Sequence, residues 1–169
     1  MELKREKMKQ IIHYIINTCQ CKDNFGKTVL FKLLYFSDFD FFELNEKSIT
    51  NETYLKYPKG PVPEHFEELK DELIDEGLIK EYEEPVFHGS EYMKYTYISL
   101  KSCKTDLLHD DEMITIKNVI ERLSHMNANN ISQYSHDDIP WRATKDYEPL
   151  EYELVFYRNS PYSVTSHDN

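Results

Sequence analysis

An almost wholly apolar helix that runs into a proline-locked corner is the strongest constraint on this chain. Residues 32–63 read KLLYFSDFDFFELNEKSITNETYLKYPKGPVP. An ordinary amphipathic helix leaves one side polar, whereas Val29, Leu30, Phe31, Leu33, Leu34, Tyr35, Phe36, Phe39, Phe41, Phe42 and Leu44 point nearly all round. Such a helix has to be central. Asp38 lies among Leu34, Tyr35, Phe41 and Phe42, one turn away on either side, so its carboxylate sits on an apolar face where a charge needs a partner. The expected donors are Tyr57, His136 or backbone groups. The corner Gly60-Pro61-Val62-Pro63 combines a residue that permits unusual backbone angles with two that fix theirs.

A helix of this kind needs enough chain around it to be covered. With 169 residues the chain suffices for one domain with a sizeable core, and two would be cramped. Residues 1–157 are expected to form that domain, with 158–169 as a polar, flexible tail. Lys32, Asp38, Asp40 and Glu43 interrupt the apolar helix and exclude a membrane span. The charged residues 1–7 lead into an amphipathic pattern without a short apolar core and cleavage site, so the expected location is the cytoplasm. Cys19, Cys21 and Cys103 form no even framework and no ligand spacing, so neither a disulfide scaffold nor a metal site or other cofactor is expected.

Charge narrows the partners. The balance of 20 Lys and Arg against 31 Asp and Glu gives a formal charge of −11, which repels a polyanion and favours a protein partner, especially a basic one. Lys4, Arg5, Lys7 and Lys9 near the start are interleaved with Glu2 and Glu6 and read as a solvated helix face.

Periodicity predicts five helices and one hairpin. The first helix covers residues 2–19, with Met8, Ile11, Ile12, Ile15 and Ile16 at helical spacing, and the second covers 27–45. Residues 53–57 are extended. The third helix is expected to open at Pro63, to carry acids in its first turn and to stop at Gly77. Residues 78–82 and 92–98 alternate as a hairpin with its loop near His88-Gly89. A fourth helix begins near Asp111; a short fifth is capped by Asn129 or Asn130 and ended by Pro140. Residues 152–157 form a last apolar strand or helix. The fold class is α+β: a mostly helical single domain with a small winged-helix-like β-hairpin.

That order makes a nucleic-acid-binding transcriptional regulator the alternative to a protein-binding module. In it the third helix would enter the major groove, yet that helix carries Glu64, Glu67, Glu68, Asp71, Glu72, Asp75 and Glu76 against Lys70 alone. Enzyme readings find less support. Ser135-His136-Asp137 cannot adopt triad geometry as adjacent residues, and no phosphate-cradling loop or zinc-protease motif occurs.

The chain resembles the Panacea domain, the SocA-like antitoxin family of toxin-antitoxin systems. The resemblance rests on Lys32-Leu33-Leu34-Tyr35 with Asp38, on an extended stretch through Tyr57 that ends in Gly60-Pro61-Val62-Pro63, and on Ser132, His136 and Trp141. It covers residues 25–156, with departures at Asn45-Glu46-Lys47-Ser48 and Lys59. The resemblance implies a non-enzymatic antitoxin that binds a co-encoded toxin directly, or an adaptor that brings the toxin to a protease. The motif residues are then either partner contacts or structural core, and Glu67, Glu68, Asp71 and Glu72 are a candidate face for steering a basic toxin.

Overall fold

A computed structural model describes residues 1–165. Helix α1 (Arg5–Cys19) buries Met8, Ile11, Ile12, Ile15, Ile16 and Cys19 along one stripe. Helix α2 (Lys27–Asn45) is central: Val29, Leu30, Leu33, Leu34, Tyr35, Phe36, Phe39 and Phe41 are all essentially inaccessible. It is contacted by α1, by α4 (Asp110–Leu123), by α5 (Ala128–His136) and by a terminal 3₁₀ helix (Tyr152–Tyr157). Its boundaries match the expected ones. Glu46 ends it in the left-handed region at φ 58°, with its amide returning to the Phe42 carbonyl.

Two separate antiparallel hairpins complete the fold. The first pairs β1 (Tyr54–Tyr57) with β2 (Gly60–Pro63), Tyr57 opposite Gly60 and Tyr54 opposite Pro63. The second pairs β3 (Ile79–Pro85) with β4 (Met93–Ser99), after helix α3 (Phe66–Asp75). At the end of α3, Gly77 at φ 72° lets the Leu78 amide reach the Leu73 carbonyl, a Schellman closure. The architecture is thus the expected α+β domain with its small hairpin after the third helix.

Several local expectations change. The Gly60–Pro63 segment is a strand rather than a bare corner, and Pro63 closes that strand instead of opening α3. Strand alternation places both prolines where the missing N–H is not used by the ladder, so the hairpin tolerates them. Helix α3 begins later because Glu52, wholly buried, accepts from the His65 amide at 3.0 Å and from His65 Nδ1 at 2.6 Å, fixing the chain before Phe66. The cap of α5 is Asn127, whose side chain accepts from the Asn130 amide. Pro140 lies in the first turn of a short helix α6 (Ile139–Arg142), a place where its absent N–H costs nothing. The helix of residues 152–157 is 3₁₀, with Tyr152 and Val155 turned inward.

The chain beyond Tyr157 also departs from a polar tail at its first residue. The Arg158 side chain is 0% exposed, and Tyr162 stacks on Tyr134 at 4.5 Å between ring centres. The remainder of the expected tail, residues 166–169, lies outside the described residues.

Candidate functional site

The motif residues singled out by sequence fall into two places around α2, and the structure adds a third. The first is built on Asp38, which is 1% exposed. Its carboxylate accepts from the Ile49 and Thr50 amides, each at 3.0 Å, from Thr50 Oγ1 at 2.6 Å and from Tyr54 Oη at 2.7 Å. The donors are therefore the loop after α2 and the first residue of β1, not Tyr57 or His136. Burial pushes the carboxyl up to about 6, while the hydrogen bonds from Thr50, Tyr54 and Ile49 pull it down. Asp38 gathers the loop and strand onto the helix, a structural task that a carboxylate performs because it can accept four bonds at once.

The second place is the contact of α2, β2 and α5 around Gly60. Gly60 has φ 112°, and a Cβ there would overlap Lys32 Cε and Ser135 Oγ. Lys32 is 1% exposed; its amine donates to the Pro61 carbonyl at 3.3 Å, and no carboxylate pairs with it among the described residues. Ser135 Oγ donates its hydrogen to the Ser132 carbonyl at 2.7 Å. The His136 ring stacks on Trp141 at 4.1 Å, its Nε2 buried without a hydrogen-bond partner among the described residues. Burial lowers the His136 pKa, opposed by its bond to the Pro58 carbonyl. Trp141 Nε1 donates to the Tyr57 carbonyl at 3.1 Å, and Lys56 Nζ stands 4.0 Å above the indole. Lys32, Tyr57, Gly60, Pro61, His136 and Trp141 thus form one junction. Val62 lies half-buried beside them in β2, and Pro63 pairs with Tyr54.

Burial pushes the Lys32 ammonium down to about 7 from 10.5, and the Lys59 charge adds to the effect. Between these two values the unfolded chain binds more protons here than the folded chain, so stability rises with pH across that window and is flat below it. Lys32→Met keeps an unbranched apolar stem of similar volume and removes the desolvation cost, at the loss of one hydrogen bond to Pro61. The expected result at pH 7 is a gain of about 1 to 3 kcal/mol. Denaturant titrations at pH 7 and pH 10 check this, since the gain must shrink at the higher pH; a loss of stability at pH 7 would show that the ammonium has a compensating partner.

The third place was not read from the sequence. Arg158 reaches back to α2 and to the start of α6. Its guanidinium donates from Nε and Nη2 to Asp138 at 2.9 and 2.7 Å, and from Nη1 to Asp40 at 2.8 Å and Glu43 at 3.0 Å. Tyr35 Oη donates to the same Asp138 at 2.8 Å, and Arg122 reaches the other oxygen of Asp40 at 3.1 Å. Asp40 and Glu43, which interrupt the apolar helix, are therefore anchors for the end of the chain. Acidic residues on a helix that must be buried all round were the available signal: each requires a cation, and Arg158 is the cation that follows the last apolar segment.

Of the four acids of α3 singled out, Glu67, Glu68 and Asp71 are exposed and Glu72 is half-buried, yet all are paired. Glu67 meets Lys27 at 2.5 Å and Lys70 at 3.0 Å, and Asp71 meets Lys70 at 3.0 Å. Glu68 meets Arg5 at 3.5 Å; Glu72 meets Arg5 and, at 3.2 Å, Lys9. Arg5 and Lys9 belong to α1, so this face also clamps α1 to α3, and its charge reversal would disturb packing as well as surface potential.

A compact helical domain with a buried polar junction and no helix long and apolar enough to cross a membrane, among the described residues, defines the class. Within it the chain matches the family described as antitoxin SocA-like, Panacea domain, over residues 30–142, and it belongs to that family. The matched segment contains Lys32, Asp38, Gly60, His136 and Trp141, while Arg158 lies beyond it. No curated protein and no solved structure matches the chain.

Proposed function

We propose that this protein is a cytoplasmic antitoxin that neutralises a co-encoded toxin by binding it directly, without turning over a substrate. The observation that carries the reading is membership of the antitoxin family over the segment that builds most of α2 and all of β1–β2 and α5–α6. Electrostatics support a protein partner over DNA. The helix that would enter a major groove has Lys70 as its one cation, and Lys70 is already shared by Glu67, Asp71 and Glu81. The formal charge of −11 attracts a basic toxin at long range, more weakly as salt rises.

Co-expression with the toxin gene is expected to restore growth, and affinity capture of the tagged antitoxin is expected to retain the toxin at a fixed ratio. If toxin levels instead fall in a protease-dependent way, the same binding serves delivery to the protease. Rescue of growth with no complex in capture or titration would overturn direct binding.

A further inference from the structure

The β3–β4 hairpin exposes more apolar surface than any neighbouring element requires. Phe87 is 65% exposed, Tyr92 74% and Met93 51%. Toward its loop end a cleft of about 250 Å³ opens between the hairpin and the start of α2. Val86, Met93 and Tyr95 supply an apolar wall; Lys27, Lys59 and Lys94 come from α2, the β1–β2 turn and β4. Lys27 is held by Glu67 and stands 4.8 Å over the Tyr95 ring. Lys94 donates to the Asp23 and Phe25 carbonyls and lies 3.5 Å from Glu84. Lys59 pairs with no carboxylate among the described residues, and neither does the buried Lys32 on which its charge acts.

A local excess of positive charge against an apolar wall is unusual on a chain of formal charge −11. Its complement is an acidic group held beside a large apolar side chain. We propose that this cleft receives a segment of the cognate toxin in which a carboxylate adjoins a large apolar residue, the carboxylate meeting Lys59 and the apolar side chain packing on Val86 and Met93. The inference rests on the antitoxin reading. The negative surface as a whole draws the toxin in, and the cleft with its unpaired Lys59 fixes its orientation, since a misplaced approach would set like charges together.

The test is titration of the purified toxin against the wild-type chain and three variants. Lys59→Glu and Met93→Ala change exposed cleft residues. Lys117→Glu makes the same charge change on the exposed face of α4, outside the cleft. Lys59→Glu and Met93→Ala are each expected to weaken binding about tenfold or more, whereas Lys117→Glu should leave it within about twofold, because only contact residues change the dissociation rate strongly. Wild-type affinity in both cleft variants would overturn the cleft while leaving the antitoxin reading intact. Equal weakening by Lys59→Glu and Lys117→Glu would reduce the effect to net charge and also overturn it. Absence of any wild-type complex would overturn the antitoxin reading itself. Inorganic phosphate titrated without toxin is expected not to saturate the cleft below about 1 mM; saturation that Lys59→Glu abolishes would make this a small-anion site and replace the proposal.

Discussion

Arg158→Met is expected to destabilise the fold by on the order of 3 to 5 kcal/mol, because a buried charge cluster loses its fully buried cation. Asp40, Glu43 and Asp138 all take a guanidinium hydrogen from Arg158, whose side chain is 0% exposed. Burial already raises the Asp40 pKa, with Arg158 and Arg122 opposing the rise. Among the described residues, removal of Arg158 leaves the Asp138 carboxylate with the Tyr35 hydroxyl and Asp40 with Arg122, a residue 40% exposed at its side chain. Arg158→Lys should also lose most of the effect, since a single ammonium cannot reproduce the two-point contact with Asp138. Arg122→Ala is the contrast: a half-exposed pair is worth about 1 kcal/mol or less. Thermal melts of the three variants check the ranking. A melting temperature unchanged in Arg158→Met would show that these carboxylates are neutral or solvated in the folded protein.

Gly60→Val is expected to be comparably severe, on the order of 2 to 5 kcal/mol, as backbone strain adds to overpacking. The backbone at φ 112° is disfavoured for any residue with a Cβ, and for a β-branched one most of all. The side chain would also enter space held by Lys32 and Ser135, both buried, so neither can swing into solvent. Two contributions can be separated. Shortening one neighbour in a Lys32→Ala background removes the lysine's share of the clash and leaves the Ser135 contact and the backbone part, so the double variant should be less destabilised than the sum of the single ones. Additive losses would mean that the lysine yields freely and that strain and the Ser135 contact account for the cost.

These two sites differ in how far they could be read in advance. Gly60 stands out because glycine beside proline has a local meaning: one residue permits a conformation and the other restricts it, whatever surrounds them. The partner of that glycine, Ser135, could not be named, since α5 lies 75 positions further along the chain in contact only through the fold. Asp38 was recognisable as a carboxylate in need of donors. Its donors proved to be the loop directly after α2, because a tight return of the chain brings the Ile49 and Thr50 amides closer than any distant side chain. The acids of α3 were visible as a face, but their pairing with Arg5, Lys9 and Lys27 depends on how α1 and α2 lie against that helix.

What the sequence determined by itself was periodic or local. The span of α2 follows from an apolar run that no surface helix could carry, the β3–β4 hairpin from alternation around a glycine-containing loop, and the end of α3 from Gly77. The family motif was equally legible, because its residues are close in sequence within each piece. Tertiary structure decided whatever needed a partner from elsewhere. It made β2 a strand by setting β1 beside it, and it turned a polar-looking Arg158 into a core residue by placing Asp40, Glu43 and Asp138 around one buried point. Backbone preference and hydrophobic period act over a few residues and are written in their order; the pairing of a buried charge acts through space, and only the folded chain brings its members together.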